Sequence, residues 1–191
     1  MVLIIGGYVG ALFISPQVIA DNSKTLKTKE DNLRNSGQNY ILIKNLNIIA
    51  PINDTDPSVA LRGGAWWKNS KQASLEKDGN FVLGVTKFNL GLTPAETKEK
   101  SLFYNLDKLE SGDSVEVFLN QQHYKYKVKE IKTVQEGESF VNTVANKTNL
   151  TIFTSDKSGK ADGKVVLIAE PEVDPTTINN SQAHPSQNIL F

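Results

Sequence analysis

The chain has no cysteine, and this absence excludes a whole group of chemistries. Without a thiol there is no disulfide, no thiolate metal site, no iron–sulfur cluster and no cysteine nucleophile. Histidine and arginine are almost as rare, with two copies of each, at His123, His184, Arg34 and Arg62. A site that needs an imidazole base or a guanidinium therefore has very few positions from which to draw one.

An excess of charge of either sign is also missing. The 191 residues carry 21 basic and 21 acidic side chains, so the formal net charge is zero. Nucleic-acid binding depends on a strongly basic surface, and we expect no nucleic-acid partner. Asp107 and Asp113 come nearest to a metal-binding pair, but their contexts are typical of a helix end and a turn. We predict neither a cofactor nor a metal.

The first 20 residues differ from the rest of the chain. Residues 1–14 are uncharged and mostly apolar, and Val18-Ile19-Ala20 follows shortly after. A run of about 14 residues is shorter than the ~20 that a membrane-spanning helix needs. It suits the apolar region of a signal peptide, although no Lys or Arg precedes it. We expect residues 1–20 to be a membrane anchor or an export signal. The chain would then face outward from the cell membrane, or be secreted after cleavage.

Two polar segments flank a central region of different composition. Residues 21–38 are rich in Lys, Asn, Ser and Asp, which predicts a polar linker, with a helical pattern near residues 28–33. Residues 171–191 carry three prolines among polar residues, which predicts a disordered tail. Residues 39–170 are left as a single folded domain, an ordinary size for one core.

Short apolar and β-branched runs recur through this central region, separated by Gly, Asn, Asp and Ser. They lie at residues 40–43, 47–50, 80–86, 114–119, 124–133, 139–141, 150–154 and 164–169. Helical patterns are limited to residues 93–98 and 103–109. Eight strands with few helices in about 130 residues predict an all-β barrel or sandwich.

Seven strings in this region match, in order, the motifs of one known family. They are 46–52 (LNIIAPI), 61–67 (LRGGAWW), 79–88 (GNFVLGVTKF), 103–113 (FYNLDKLESGD), 126–128 (YKV), 150–155 (LTIFTS) and 164–169 (KVVLIA). Together they resemble the sortases, the cell-surface transpeptidases of Gram-positive-type bacteria. The strings 103–113 and 150–155 weigh most. The resemblance implies a closed β-barrel of about eight strands with short helices, in agreement with the strand count.

The resemblance also implies a set of site positions. A sortase transfers an acyl group with a cysteine thiolate, a histidine that protonates the leaving amine, and an arginine that stabilises the oxyanion or the substrate. These positions fall here on Ser155, Thr86 and Lys164, so all three catalytic residues are replaced. Trp66, Trp67 and Thr154 are the candidates for lining a substrate groove.

Three functions follow as hypotheses. The first is a catalytically degenerate sortase, a pseudoenzyme that still binds an extended peptide or a cell-surface protein. The second is an active transpeptidase or hydrolase that uses Ser155 as nucleophile with Lys164 as its base. The third is a structural envelope domain, which a groove filled by Trp66 or Trp67 would favour.

Overall fold

The computed structural model describes residues 18–70, 80–133, 135, 149–155 and 160–172, with side chains from residue 24 onward. Within these residues there are three α-helices and eight strands. They are α1 (Val18–Asn35), β1 (Tyr40–Ile43), β2 (Ile48–Asn53), α2 (Pro57–Ala60), β3 (Ala65–Trp67), β4 (Phe81–Val85), α3 (Pro94–Lys100), β5 (Ser114–Leu119), β6 (Gln122–Lys132), β7 (Leu150–Ser155) and β8 (Ala161–Pro171). Two single-turn 3-10 helices, Lys44–Leu46 and Leu106–Lys108, complete the described part of the chain.

The strands form a closed barrel in the order β1-β2-β3-β4-β7-β8-β6-β5, and β5 pairs back onto β1. The β2–β3 and β4–β7 pairs are parallel, and the other neighbours are antiparallel. The prediction of an all-β closed barrel of about eight strands with short helices is confirmed. Closure leaves no strand edge exposed, which lets a small all-β domain avoid pairing with other chains.

The observed strands differ from the sequence-based ones in a few places. Strand β3 is absent from the prediction because three residues are too few to show an alternating pattern. The helical pattern at residues 103–109 becomes the 3-10 turn Leu106–Lys108. The predicted strand at 139–141, residues 1–17 of the predicted anchor and residues 173–191 of the predicted tail lie outside the described residues.

The barrel interior is filled by alternate residues of the strands. On β5, Val115, Val117 and Leu119 are buried while the residues between them are half-exposed. On β4 and β7 every residue is buried, because these strands are covered on both faces. Their inward side chains join the main core, and a second apolar cluster covers their outer faces. This outer cluster includes Phe153, which lies two residues before Ser155.

Helix α1 occupies most of the segment expected to be a polar linker. It is helical from Val18 to Asn35, well beyond the pattern seen near residues 28–33. Leu26 and Leu33 lie two turns apart on one face and pack against Tyr40, Leu42 and Ile49 of the barrel. Two leucines in 18 residues are a weak sequence signal, but they suffice to dock the helix. Within the described residues, no helix has the length and apolar character needed to cross a bilayer.

Candidate functional site

The ends of β4 and β7 bring two of the three family-equivalent positions together. In this parallel pair Val85 lies opposite Thr154, so the next residues, Thr86 and Ser155, are also neighbours. Adjacent strands lie about 4.8 Å apart. Side chains alternate between the two faces of a strand, and Phe153 belongs to the outer cluster. Ser155 and Thr86 therefore share the outer face of the barrel.

Lys164 reaches the same region from β8. The β7–β8 pairing passes from Phe153–Val166 to Ser155–Ala161, so residues 162–164 bulge out of the ladder beside Ser155. We call the outer surface formed by Thr86, Ser155 and this bulge the site face. The structure thus brings all three family-equivalent positions to one end of three adjacent strands.

Thr86 and Ser155 both contribute hydroxyl groups to the site face, and a hydroxyl is a weak acid and a weak base. Ser155 is only 2% exposed. The Thr86 hydroxyl lies 3.3 Å from the Leu61 carbonyl oxygen, to which it donates. The crevice behind Thr86, lined by Leu61, Gly64 and Phe103 among others, is too narrow for a water molecule. A threonine hydroxyl neither takes up a proton at neutral pH nor carries charge, so Thr86 supplies no base to Ser155.

Lys164 is placed as a solvated cation. Its side chain is 53% exposed, and its ammonium lies 3.7 Å from a carboxylate oxygen of Asp162. An ammonium activates a serine only after it loses its proton, which requires burial away from negative charge. Lys164 instead is exposed and has a carboxylate as its neighbour. This environment suits a cation that contacts an anion and does not suit a general base.

Thr154 lies on the interior face, opposite to Ser155. It is fully buried, its hydroxyl donates to Asp162 Oδ1 at 2.5 Å, and it accepts the Val165 backbone N–H at 3.0 Å. These two bonds hold both ends of the 162–164 bulge. The side chain thus shapes the site face from behind and does not line it.

The two tryptophans of β3 point to opposite faces. Trp67 packs inward, with its ring centroid 4.9 Å from that of Phe81. Trp66 packs outward onto the cluster that contains Phe153. A Cβ atom added to Gly84 would lie 3.1 Å from Trp66 Cε3 and 3.2 Å from Phe153 Cζ. The two rings therefore cover Gly84 on the outer face of β4, and Phe153 lies two residues before Ser155 on β7.

Lys68 is a residue of this surface that the sequence reasoning missed. Its ammonium lies 5.1 Å from the centroid of the Phe153 ring, a cation–π contact. Burial of the side chain lowers the pKa of Lys68. Lys68 lies in the turn that directly follows β3, so no alternating pattern in the sequence marked it.

The described residues offer no site for a metal ion, since no group of three or more His, Asp or Glu side chains converges among them.

The family model of the sortase domain matches residues 41–172, which is more than half of the chain. The chain belongs to the sortase family. Among curated proteins no sequence matches it.

Solved sortase structures share the fold at low identity. Sortase C-1 from Actinomyces oris has a TM-score of 0.57 and 19% identity, covering 82% of this chain and 99% of its own. Sortase A from Listeria monocytogenes has a TM-score of 0.56 and 22% identity, covering 74% and 94%. Clostridium perfringens sortase C, solved with the C-terminal cell wall sorting motif, has a TM-score of 0.54 and 21% identity, covering 91% and 100%.

Proposed function

We propose that this sortase is catalytically degenerate and acts by binding an extended peptide or a surface protein at the site face. The observation that carries the proposal is the pairing of Val85 with Thr154, the residues that directly precede Thr86 and Ser155. The side chains that a sortase needs for acyl transfer are replaced at positions that remain together. With all catalytic groups lost, only binding and geometry remain, and these sustain a small fraction of an enzyme's rate.

The environment of Lys164 supports this proposal over the serine-enzyme alternative. Ser155 as a nucleophile needs a base within hydrogen-bond reach. Lys164 is more than half exposed, and its ammonium contacts the Asp162 carboxylate at 3.7 Å.

The outer surface of β3, β4 and β7 supports the binding part of the proposal. Trp66 is half-exposed there, with Phe153 and Lys68 beside it. An amphipathic aromatic ring next to a cation is suited to contact an extended peptide, because it offers apolar area together with a polar handle.

The structural envelope domain is a second candidate, and one observation favours it. Trp66 and Phe153 pack against Gly84 so closely that little space is left above this residue. A surface filled by its own side chains needs no ligand to be stable. Peptide binding and a filled surface predict different results in the same peptide-binding assay.

We also propose that residues 1–20 tether the domain to the outer side of the cell membrane. The uncharged run at residues 1–14 and the envelope association of the sortase family support this placement.

The test uses the full chain and a labelled peptide that carries a cell wall sorting motif. With an amine acceptor present, we expect no transpeptidation or hydrolysis product by mass spectrometry. Turnover that Ser155→Ala abolishes would overturn the proposal in favour of the serine enzyme.

The same peptide tests binding by fluorescence anisotropy. We expect binding that Trp66→Ala weakens and Phe118→Ala leaves unchanged, since Phe118 lies on the outer face of β5 on another side of the barrel. A well-folded chain that binds neither this peptide nor a panel of unrelated extended peptides would favour the structural envelope domain.

A further inference from the structure

The segment between β4 and α3 exposes three apolar side chains in alternation. Phe88 is 40% exposed, Leu90 68% and Leu92 97%. We call these three residues the apolar ridge. Single exposed apolar residues are common on protein surfaces, whereas several exposed apolar residues within five positions are a candidate contact with a partner or a membrane.

The ridge is held in place by hydrogen bonds on its inner side. The Asn89 N–H donates to Ser101 Oγ at 2.9 Å, and the Ser101 hydroxyl donates back to the Asn89 carbonyl oxygen. The Gly91 N–H donates to Thr97 Oγ1 at 3.0 Å. Ser101 and Thr97 are both buried. The polar inner side of the segment is therefore satisfied by Thr97 of α3 and by Ser101 directly after it. On the outer side the Phe88 ring contacts the Tyr104 ring edge-on, while Leu90 and Leu92 are mostly exposed.

Gly91 makes this close approach to α3 sterically feasible. A Cβ atom at this position would lie 2.7 Å from the Thr97 backbone nitrogen, closer than real contacts allow. The Leu92 N–H donates to Glu96 Oε2 at 2.7 Å and fixes the last residue of the ridge. The exposure of Leu90 and Leu92 is thus built into the fold by specific contacts.

The ridge directly precedes α3, and α3 faces the N-terminal half of α1. Across a shallow groove, Thr25 and Leu26 of α1 face Ala95 and Lys98 of α3, and Pro94, at the start of α3, follows the ridge after Thr93. From Thr25 back to Val18 the helix rises only about 10 Å, at 1.5 Å per residue. In the sequence, the uncharged run at residues 1–14 ends four residues before Val18.

We infer that the apolar ridge contacts the lipid surface of the membrane that holds the N-terminal segment. This inference rests on the proposed membrane tether. The short distance along α1 keeps the barrel close to the bilayer and turns the side with α3 toward it. Leu and Phe insert favourably at the boundary of headgroups and acyl chains. The exposed lysines Lys24, Lys27 and Lys98 add attraction to anionic headgroups.

The absence of cysteine makes a direct test simple. The full chain is reconstituted in vesicles of phosphatidylglycerol and phosphatidylcholine, with an environment-sensitive nitrobenzoxadiazole dye at a single introduced cysteine. Leu92→Cys reports on the ridge, and its exposure makes the substitution harmless to the fold. Asn35→Cys is the matched control, since it is an exposed residue at the opposite end of α1, about 25 Å from Val18.

With the ridge on the membrane, the dye at position 92 shifts its emission to the blue. Its quenching by aqueous iodide falls severalfold, and nitroxide-labelled lipids quench it. The dye at position 35 shows none of these changes. Equal behaviour of the two dyes in chains that float with the vesicles would overturn the lipid contact and leave the tether intact. Chains that do not float would overturn both. A blue shift at position 92 that needs no vesicles and grows with protein concentration would assign the ridge to a second copy instead.

Discussion

Trp66 lies over Gly84 so closely that position 84 has no room for a side chain of ordinary size. An added Cβ would be 3.1 Å from Trp66 Cε3 and 3.2 Å from Phe153 Cζ. The pairing of Trp66 with Gly84 across β3 and β4 sets this contact.

The first prediction concerns this contact. We expect Gly84→Val to destabilise the fold by about 1–3 kcal/mol, because the added methyl groups force both rings to move. Gly63→Ala is the matched control, since nothing lies within 4 Å of a Cβ at that position, and it should leave the stability unchanged or slightly raised. Urea unfolding measures both. A Gly84→Val chain as stable as the wild type would show that the rings yield freely.

A second prediction concerns the hydroxyl of Thr154. Thr154→Val keeps the shape but removes the acceptor of the Val165 N–H and the donor to Asp162. A buried donor without a partner costs about 1–3 kcal/mol, and we expect a loss of stability in this range. Thr154→Ser retains the hydroxyl and serves as the control for the lost bonds. Equal stabilities of the Val and Ser variants would contradict the anchoring role given to this side chain.

A third prediction concerns Glu116, a carboxylate on the outer face of β5. Its two oxygens lie 2.7 Å from Lys44 Nζ and 2.8 Å from His123 Nε2. Burial raises the pKa of Glu116, but the hydrogen bonds and charges of Lys44 and His123 outweigh this effect and hold the pKa below its usual value. At acidic pH the Glu116 carboxyl is therefore protonated to a smaller extent in the folded state than in the unfolded chain.

The sign of the pH dependence follows directly. The stabilisation by Glu116 is complete above the unfolded pKa of about 4.3 and is lost as the pH falls through the lower pKa of the folded state. We expect Glu116→Gln to flatten the loss of stability measured by urea unfolding between about pH 5 and pH 3. Glu110→Gln removes an exposed carboxyl and should leave the wild-type slope. An unchanged slope in Glu116→Gln would show that other carboxyls govern acid unfolding.

The barrel could be predicted from the sequence because the alternation of apolar and polar residues along a strand is a local property. The alternating apolar residues Val115, Val117 and Leu119 predict a buried face of the strand without any information about the neighbouring strands. The sequence could not predict which side of the barrel Trp66, Trp67 and Thr154 face. A three-residue strand is too short to show an alternating pattern, and a shift of one residue exchanges the two faces. Thr154 was considered for the groove and lies inside, while Lys68 was passed over and lies outside.

The placement of Thr86 beside Ser155 was implied by the family resemblance and not by the residues alone. The two positions are 69 residues apart in the chain, and only the parallel β4–β7 register joins them. Likewise, α1 carries two leucines among polar residues, and nothing local shows that Tyr40, Leu42 and Ile49 offer them a surface.

The last prediction asks whether the site face still has the geometry of a catalytic sortase. The triple variant Thr86→His, Ser155→Cys and Lys164→Arg restores the family residues at the three positions. We expect it to fold, since Lys164 is exposed, Thr86 is half-exposed, and serine and cysteine differ little in volume. A histidine and an arginine near a thiol favour the thiolate and lower its pKa.

The measurement is the rate of alkylation by iodoacetamide, which reacts with the thiolate. The single variant Ser155→Cys is the control, because it carries the same thiol without the added cations. We expect faster alkylation in the triple variant at pH 7, with the difference shrinking as the pH rises toward the ordinary thiol pKa of about 8.5. Equal rates in a folded triple variant would mean that residues 86 and 164 do not converge on position 155. A triple variant that fails to fold, while Ser155→Cys folds, would mean that the packing around Thr86 cannot admit an imidazole, and the site face would then differ from that of an active sortase in shape as well as in chemistry.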